Sequence, residues 1–395
     1  METDKPQFVV ENHEELPAII KVVGVGGGGG NAIKNMYRTG IKDVFYLLCN
    51  TDKQAMKKSE VPTLLLGKDG YGAGGKPEVA RKLAEESVDA IRAQFEDTDM
   101  VFITAGMGGG TGTGASPIVA REAKSMGVLT VGVVTIPFAF EAEYKIKQAL
   151  AGVEELRKNV DALLVINNEN LRKVFPDLTL WNAFQKADET LTVAAKSIAE
   201  LITIEGYINL DFRDVRTTLK AGGVAVMSSG YGEGEHRITK AIEDAIHSPL
   251  LAADNLYNAK RILLNLYLSS KSDNQVIMEE FQELNDFMAK FDGVETISGI
   301  TIDDTLDDKV KVTILAAGFG TGSIDMTAAY PPDKKYAILS IAQMDNNAIL
   351  DKLDRTPAYK RPSDFLKQLA NMSAAETEPE KEETYNNNGT IRFVE

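Results

Sequence analysis

The chain has 395 residues, 44% of them hydrophobic, a formal net charge of −15 and a single cysteine. This length allows two folded domains, the acidic balance argues against a general binder of nucleic acid or anionic membranes, and one cysteine with three scattered histidines argues against a zinc site. Because no apolar run reaches the roughly 20 residues of a membrane helix and the first residues lack the apolar core of a signal peptide, we expect a cytoplasmic protein that does not insert into the membrane.

The first half of the chain alternates strand-like and helix-like segments. A β-rich run at 18–25 leads into the glycine run GVGGGGG at 24–30 and then into a helix-like segment at 32–38. The pattern continues through strands at 44–49, 61–66, 100–104, 129–135 and 162–166 and helices at 76–95, 115–126 and 143–158. This alternation predicts a parallel sheet covered by helices on both sides, with ligands at the carboxyl ends of the strands, where the glycine runs fall.

A long helix and a smaller set of elements follow in the second half. Apolar residues recur every three or four positions from 179 to 203, which predicts one continuous helix. The shorter elements after it indicate a smaller mixed-sheet domain, whereas residues 373–390 are acidic and poor in apolar residues, which is typical of disorder. We therefore predict an α/β chain with a flexible N-terminus (1–15), a parallel-sheet domain (16–178), a central helix (179–205), a C-terminal domain (206–320), and a linker with a tail (321–395).

The run GGGTGTG at 108–114 lies between a strand-like and a helix-like segment. Its glycines allow backbone N–H groups to approach an anion closely, and the start of the helix adds the positive end of its dipole. Thr111 and Thr113 supply hydroxyl donors. This combination predicts a phosphate-binding loop.

Two other glycine motifs allow rival interpretations. The pattern G-x-G-x-x-G at 24–29, with Asp52 at the end of the second strand, also fits a nicotinamide-dependent dehydrogenase. However, a second glycine run after a later strand exceeds what a dinucleotide site needs. The segment GYGAGGK at 70–76 imitates a P-loop, but Pro77 follows it and has neither a hydroxyl for magnesium nor an N–H. A Walker-type ATPase is therefore disfavoured, and Lys76 is interpreted as a loop lysine.

Three motifs resemble those of the FtsZ family, the bacterial tubulin homologues of cell division, over about residues 20–320. GGGTGTG resembles the tubulin signature, KVVGVGGGGGNA at 21–32 resembles the first nucleotide loop, and NLDFRD at 209–214 resembles the synergy loop. The resemblance implies a tubulin/FtsZ-like fold, in which a Rossmann-like GTPase domain is joined by a long central helix to a smaller mixed-sheet α/β domain. It also implies a GTPase that assembles head to tail into protofilaments.

The resemblance assigns residues to a GTP site. The phosphates would be held by Gly27, Gly28, Gly29, Gly30, Asn31, Gly109, Gly110, Thr111 and Gly112. Loop 73–75 would lie near the γ-phosphate. Glu141 would hold the ribose, with Lys145 at a position where the family usually has arginine. Asp188 would accept hydrogen bonds from the N1–H and the amine of guanine, and Phe184 would stack on the base.

The resemblance also implies that the catalytic groups act on a second subunit. Asn209, Asp211 and Asp214 of the synergy loop would reach the γ-phosphate of the next subunit and polarise a water for attack. Ordinary helix capping by Asp211 is the alternative interpretation. Mg²⁺ would bridge the phosphates of GTP and be held mainly by phosphate and water, so no protein ligand is predicted.

The implied partners are further copies of the chain and, through its tail, membrane-tethering and division-regulating proteins at the midcell division site. The segment TPAYKR at 356–361 resembles the family's terminal peptide loosely. Two alternatives stay open: a tubulin-like filament GTPase of plasmid partitioning or cell shape, and a filament protein that binds GTP without hydrolysing it. The acids of the synergy loop argue against the second.

Overall fold

The computed structural model describes residues 19–319, apart from 42, 248–255, 257, 272–274 and 292, together with residues 351 and 355. The chain divides into two compact units, Met1–Tyr330 and Pro331–Glu395. In the second unit, Asp351 and Arg355 form an ion pair of 2.9 Å. The predictions of a flexible N-terminus at 1–15, a disordered segment at 373–390 and a tail peptide at 356–361 lie outside the described residues.

Eleven strands form one sheet in the described part of the first unit. They are β1 (Ile20–Val25), β2 (Val44–Asn50), β3 (Thr63–Leu65), β4 (Met100–Gly106), β5 (Leu129–Ile136), β6 (Ala162–Asn167), β7 (Gly206–Ile208), β8 (Gly223–Gly232), β9 (Arg261–Leu268), β10 (Glu295–Ile302) and β11 (Val310–Phe319). Their order in space is β3-β2-β1-β4-β5-β6-β8-β11-β9-β10-β7. The first six are parallel, and the remaining five form a mixed sheet. This arrangement confirms the predicted α/β class.

The helices of the described residues pack on both faces of this sheet. They are α1 (Gly26–Thr39), α2 (Lys53–Met56), α3 (Pro77–Glu85), α4 (Val88–Ala93), α5 (Gly110–Ser125), α6 (Glu143–Asn159), α7 (Asn168–Val174), α8 (Leu180–Thr203), α9 (Phe212–Leu219), α10 (Arg237–Ile246) and α11 (Met278–Met288). The predicted long helix corresponds to α8, and the Thr179 side chain caps it by accepting a hydrogen bond from the Asn182 N–H. No described helix combines the length and the hydropathy that a membrane span requires.

The two faces of the parallel half carry separate hydrophobic cores. Because successive side chains of a strand alternate between faces, Val22 packs with Ile33 of α1 and Ile198 of α8. Ile103 belongs to the opposite core, together with Val153 of α6. Each such side chain, when fully buried, contributes about 1.5 to 3 kcal/mol. These cores hold α1, α5 and α8 at fixed positions around the carboxyl ends of the strands.

The two halves of the sheet are joined between β6 and β8. There the strands pair over two positions, Ala162 with Gly223 and Leu163 with Val224. The sheet is therefore continuous from β3 to β7, although its central connection is short. The long helix α8 links the same two halves along the chain.

The structure corrects the prediction that both glycine runs are loops. Helix α1 begins at Gly26 and α5 at Gly110, several residues before the predicted starts at 32 and 115. A Cβ added at Gly29 would lie 2.4 Å from the backbone oxygen of Thr104, and one at Gly114 would lie 2.0 Å from that of Pro77. These glycines allow close contact between backbones, and the packing that results overrides their poor helix propensity.

Two further elements differ from the prediction. The segment 76–95 forms two helices, α3 and α4, because the chain breaks at Ser87, whose hydroxyl bonds the Leu83 carbonyl instead of capping the next helix. Strand β7 was not predicted from the sequence; it pairs with β10 and forms one edge of the sheet. A three-residue strand of this kind gives too short a pattern to be recognised.

Candidate functional site

A cavity of about 520 Å³ opens at the carboxyl ends of β4, β5 and β6. Seven of the residues predicted to bind a nucleotide line it: Gly28, Asn31, Gly109, Glu141, Lys145, Phe184 and Asp188. They come from segments widely separated in sequence, and the fold brings them together around one opening. The volume is within the range of about 300 to 1,000 Å³ typical of small-molecule sites.

The first turns of α1 and α5 lie side by side at one end of this cavity. A Cβ added at Gly26 would lie 2.8 Å from the backbone nitrogen of Gly112, and one at Gly28 would lie 3.0 Å from the Cα of Gly106. Each helix start carries N–H groups without an intrahelical partner and the positive end of a helix dipole. Two converging helix starts therefore form a favourable position for phosphate groups.

Six of the seven glycines predicted to hold phosphates fall into two groups. Gly28 and Gly109 face the cavity, whereas a Cβ at Gly29 or Gly112 would clash with a backbone oxygen at 2.4 Å. The second group also includes Gly30 and Gly110, which pack against neighbouring segments; Gly27 is exposed and has open space around it. The packed glycines thus position the helix starts, and those facing the cavity are available to a ligand.

Thr111 does not line the cavity. Its hydroxyl lies 2.7 Å from the hydroxyl of Thr51, which follows β2. This hydrogen bond joins the first turn of α5 to the end of β2, so Thr111 stabilises the helix start. The neighbouring Asp52 accepts a hydrogen bond from the Gln54 N–H and caps α2. This capping role gives Asp52 a structural function in place of the one it would have in a dehydrogenase.

The first turns of α8 form a further part of the cavity wall. Trp181, Phe184 and Asp188 follow one another at spacings of three and four residues, so they share one face of the helix. Burial raises the pKa of the Asp188 carboxyl to about 6. A half-buried carboxylate with this environment offers two strong acceptors to a ligand that carries adjacent N–H donors.

Phe184 is supported from behind by two further aromatic rings. Its ring centroid lies 5.4 Å from that of Phe138 in an edge-to-face arrangement, and 6.2 Å from that of Phe140. The rings of Phe138 and Phe140 are stacked at 5.1 Å. Edge-to-face contacts of this kind hold an aromatic ring in a defined orientation, so Phe184 presents a fixed apolar surface at the cavity.

Glu141 and Lys145 line the side of the cavity between the helix starts and the aromatic rings. The Lys145 ammonium lies 3.6 Å from the carboxylate of Glu141, four positions earlier in the chain. Glu141 also accepts a hydrogen bond of 3.1 Å from the Phe138 N–H, which fixes its position. The pair offers one anionic and one cationic group to a polar ligand such as a sugar phosphate.

Several residues that line the cavity were not predicted from the sequence, and Asn168 is the most informative of them. Asn168 is buried, lines the cavity, and its side-chain oxygen has no hydrogen-bond partner among the described residues. A buried amide oxygen without a partner is costly unless a ligand or water satisfies it. Its position directly after β6 was the available signal, because ligands bind at the carboxyl ends of parallel strands. Thr135, near the end of β5, was missed in the same way.

Asn209, Asp211 and Asp214 do not line this cavity. Asp211 accepts a hydrogen bond from the Asp214 N–H at 2.9 Å, and Asp214 accepts one from the Asp211 N–H at 3.0 Å. This reciprocal box begins α9, as the capping alternative predicts, and it uses one oxygen of each carboxylate. The segment 188–203 of α8 alone spans about 22 Å. The acids therefore follow the far end of the helix whose first turns form the cavity.

Comparisons with known proteins agree with this architecture. The GTPase-domain model of the Tubulin/FtsZ family matches residues 19–176, and the C-terminal-domain model of the FtsZ family matches residues 223–320. The chain is 48% identical to cell division protein FtsZ of Porphyromonas gingivalis, over 90% of this chain and 88% of that protein.

Solved structures give the same result. An empty FtsZ dimer from M. jannaschii has a TM-score of 0.70 and 38% identity, covering 77% of this chain and 89% of that chain. The protein CetZ2 from Haloferax volcanii, solved as a GTPγS-bound protofilament, shares the fold at a TM-score of 0.64 and 19% identity, covering 77% of this chain and 94% of that chain.

Proposed function

This chain belongs to the FtsZ family of cell-division GTPases, and from that premise we propose that its cavity binds GTP and that hydrolysis is completed by a second copy of the chain. The copies would assemble head to tail into protofilaments. Each interface would place Asn209, Asp211 and Asp214 of one subunit against the nucleotide of the next.

One observation carries this proposal: the cavity and the acidic pair lie at opposite ends of α8. A carboxylate that activates water must come within hydrogen-bond reach of it. Asp211 and Asp214 cannot reach the cavity of their own subunit along a helix of this length. A second subunit, stacked so that its acids face the open cavity, brings the two parts together. Because this contact uses two different surfaces, it continues into a filament.

Within the cavity, the phosphates would lie against the paired starts of α1 and α5. Gly28, Asn31 and Gly109 face that region, and loop 73–75 would lie beyond it near the γ-phosphate. The ribose would lie beside Glu141 and Lys145. Guanine would then extend towards α8, where Phe184 offers a surface for stacking and Asp188 offers acceptors for N1–H and the exocyclic amine. Adenine presents no matching pair of donors, so Asp188 would select guanine.

Asp211 and Asp214 would hold the attacking water of the neighbouring site through the carboxylate oxygens that are not used in the capping box. Mg²⁺ would supply charge neutralisation at the β- and γ-phosphates. The described residues contain no cluster of three or more His, Cys, Asp or Glu side chains that could hold a metal ion. Such an ion would be bound mainly through phosphate oxygens and water, the usual arrangement for magnesium in nucleotide sites.

The remaining expectations extend this proposal to the cell. We place the GTPase domain at 16–178, the central helix at 179–205 and the C-terminal domain at 206–320, with the linker and tail at 321–395 available to membrane-tethering and division-regulating proteins. The location would be the cytoplasm, at the midcell division site. A homologous FtsZ has been solved as a dimer, which supports self-association of this family.

The proposal is tested by measuring phosphate release and sedimentation as functions of protein concentration with GTP and with GDP. Turnover per subunit should rise cooperatively above a critical concentration, and pelleting should require GTP. Asp214→Ala should bind GTP normally and lose nearly all turnover, while Asp89→Ala, an exposed acid on α4, serves as the matched control. Equal turnover per subunit at all concentrations would contradict a shared site, as would a variant Asp214→Ala that still hydrolyses GTP.

A further inference from the structure

The side chain of Gln148, on α6, joins two loops at the edge of the cavity. Its amide nitrogen lies 3.0 Å from the carbonyl oxygen of Gly108, 3.2 Å from that of Gly109 and 3.3 Å from that of Gly75. The first two belong to the segment that enters α5. The third belongs to loop 73–76, which precedes α3. One side-chain amide thus donates to carbonyl oxygens from both segments.

The two loops are in close contact but are not bonded directly. A Cβ added at Gly110 would lie 2.9 Å from the Lys76 nitrogen and 3.0 Å from the Ala73 Cβ. Loop 73–76 closes on itself through a hydrogen bond from the Lys76 N–H to the Ala73 carbonyl. Within the described residues, no backbone hydrogen bond links this loop to the start of α5. Gln148 therefore supplies the polar connection between them.

The same hydrogen bonds fix the direction of the N–H groups. In a trans peptide the carbonyl and the following N–H point in opposite directions. Because the carbonyls of Gly108 and Gly109 point towards Gln148, the N–H groups of Gly109 and Gly110 point away from it. Gly109 lines the cavity, and Gly110 is the first residue of α5. Gln148 thereby controls the orientation of two donors at the proposed phosphate position.

We propose that Gln148 is a positioning residue that couples loop 73–76 to the phosphate site, so that the chain distinguishes a nucleoside triphosphate from a diphosphate. This inference rests on the proposed GTP site and deepens it. Gln148 would act through the two loops rather than by touching the nucleotide. A third phosphate, next to loop 73–76, gains from the loop being held against α5, whereas a diphosphate does not extend that far.

The test uses full-length protein below its assembly threshold, with dissociation constants measured for GDP and for a non-hydrolysable GTP analogue. Gln148→Met keeps the length of the side chain and removes its donors, and we expect it to lower the preference for triphosphate about tenfold. Gln148→Glu should lower it further, because a carboxylate would face three carbonyl oxygens. Gln282→Met, the same change at an exposed position on α11, should leave both constants unchanged.

The triphosphate preferences of the two Gln148 variants show whether this side chain acts through its hydrogen bonds or only by filling space. If Gln148 only fills space, Gln148→Met resembles wild type, and the inference is overturned. Equal losses of affinity for the two nucleotides would also overturn it, because they would show support for the site without coupling to loop 73–76. Wild-type protein that binds neither nucleotide would overturn the proposed function itself, which distinguishes that failure from the first two. Thermal unfolding of each variant verifies that it is folded.

Discussion

Replacing Asp188 by asparagine should make the nucleotide-free protein more stable while weakening its selection of guanine. Burial raises the pKa of this carboxyl from its ordinary 3.8 to about 6. The folded state therefore disfavours the charged form, and the penalty is fully present above the folded pKa. At about 1.36 kcal/mol per pKa unit, the difference corresponds to a penalty of about 3 kcal/mol near neutral pH.

The stability gained by Asp188→Asn should depend on pH in a direction set by the raised pKa. A carboxyl whose folded pKa is raised favours the folded state when protonated, and this contribution is lost as the pH rises from 3.8 through about 6. Asp188→Asn stays neutral throughout. Its gain in the free energy of unfolding should therefore be about 3 kcal/mol at pH of about 7.5, about 1.5 kcal/mol at pH of about 5, and small below the unfolded pKa.

Urea denaturation of nucleotide-free wild type and Asp188→Asn at these pH values measures the difference. The reasoning is refuted if the variant gains no stability near neutral pH, or if the gain does not shrink in acid. GTP and ATP competition on the same samples measures selectivity. The preference for GTP should fall, because an amide replaces one acceptor by a donor that opposes the guanine amine. Unchanged selectivity would remove Asp188 from the base site.

Three further predictions concern the helix starts and the ribose side of the cavity. Gly29→Ala should destabilise the protein by about 2 to 3 kcal/mol, because its Cβ would meet a backbone oxygen. Gly27→Ala should not destabilise it, because Gly27 has open space around it. Urea denaturation measures the free energy of unfolding of both variants. Thr111→Val should cost about 1 to 2 kcal/mol by leaving the buried Thr51 hydroxyl without its partner, which thermal unfolding measures. Lys145→Arg should tighten GTP binding by about tenfold, because a planar guanidinium can make two parallel hydrogen bonds to the nucleotide where the lysine ammonium offers a point charge, and titration calorimetry would contradict this if affinity stayed the same.

Sequence patterns were sufficient to predict a helix or a sheet where the same signal was repeated over many residues. The apolar spacing along α8 predicted its limits to within one residue, because a buried stripe must recur at every turn. The alternation of strands and helices predicted the parallel sheet for the same reason.

The remaining features depend on contacts that a linear pattern does not contain. A glycine run has the same letters whether it forms a flexible loop or a helix start pressed against another backbone, as at Gly29 and Gly112. Asn168 was missed because a single asparagine after a strand is common. The box between Asp211 and Asp214 fits both capping and catalysis, so its local geometry does not choose between them.

The position of Trp181 gives the protein a built-in optical reporter. It is the one tryptophan of the chain, its side chain is 82% exposed, and it stands at the rim of the cavity on the same helix face as Phe184. Indole emission shifts to shorter wavelength when the ring leaves water, so occupancy of the rim can be followed without an attached dye. A guanine base or a neighbouring subunit would each remove this ring from water. Dilution distinguishes the two effects, because the emission shift caused by the base persists in isolated subunits, whereas the shift caused by a neighbouring subunit disappears.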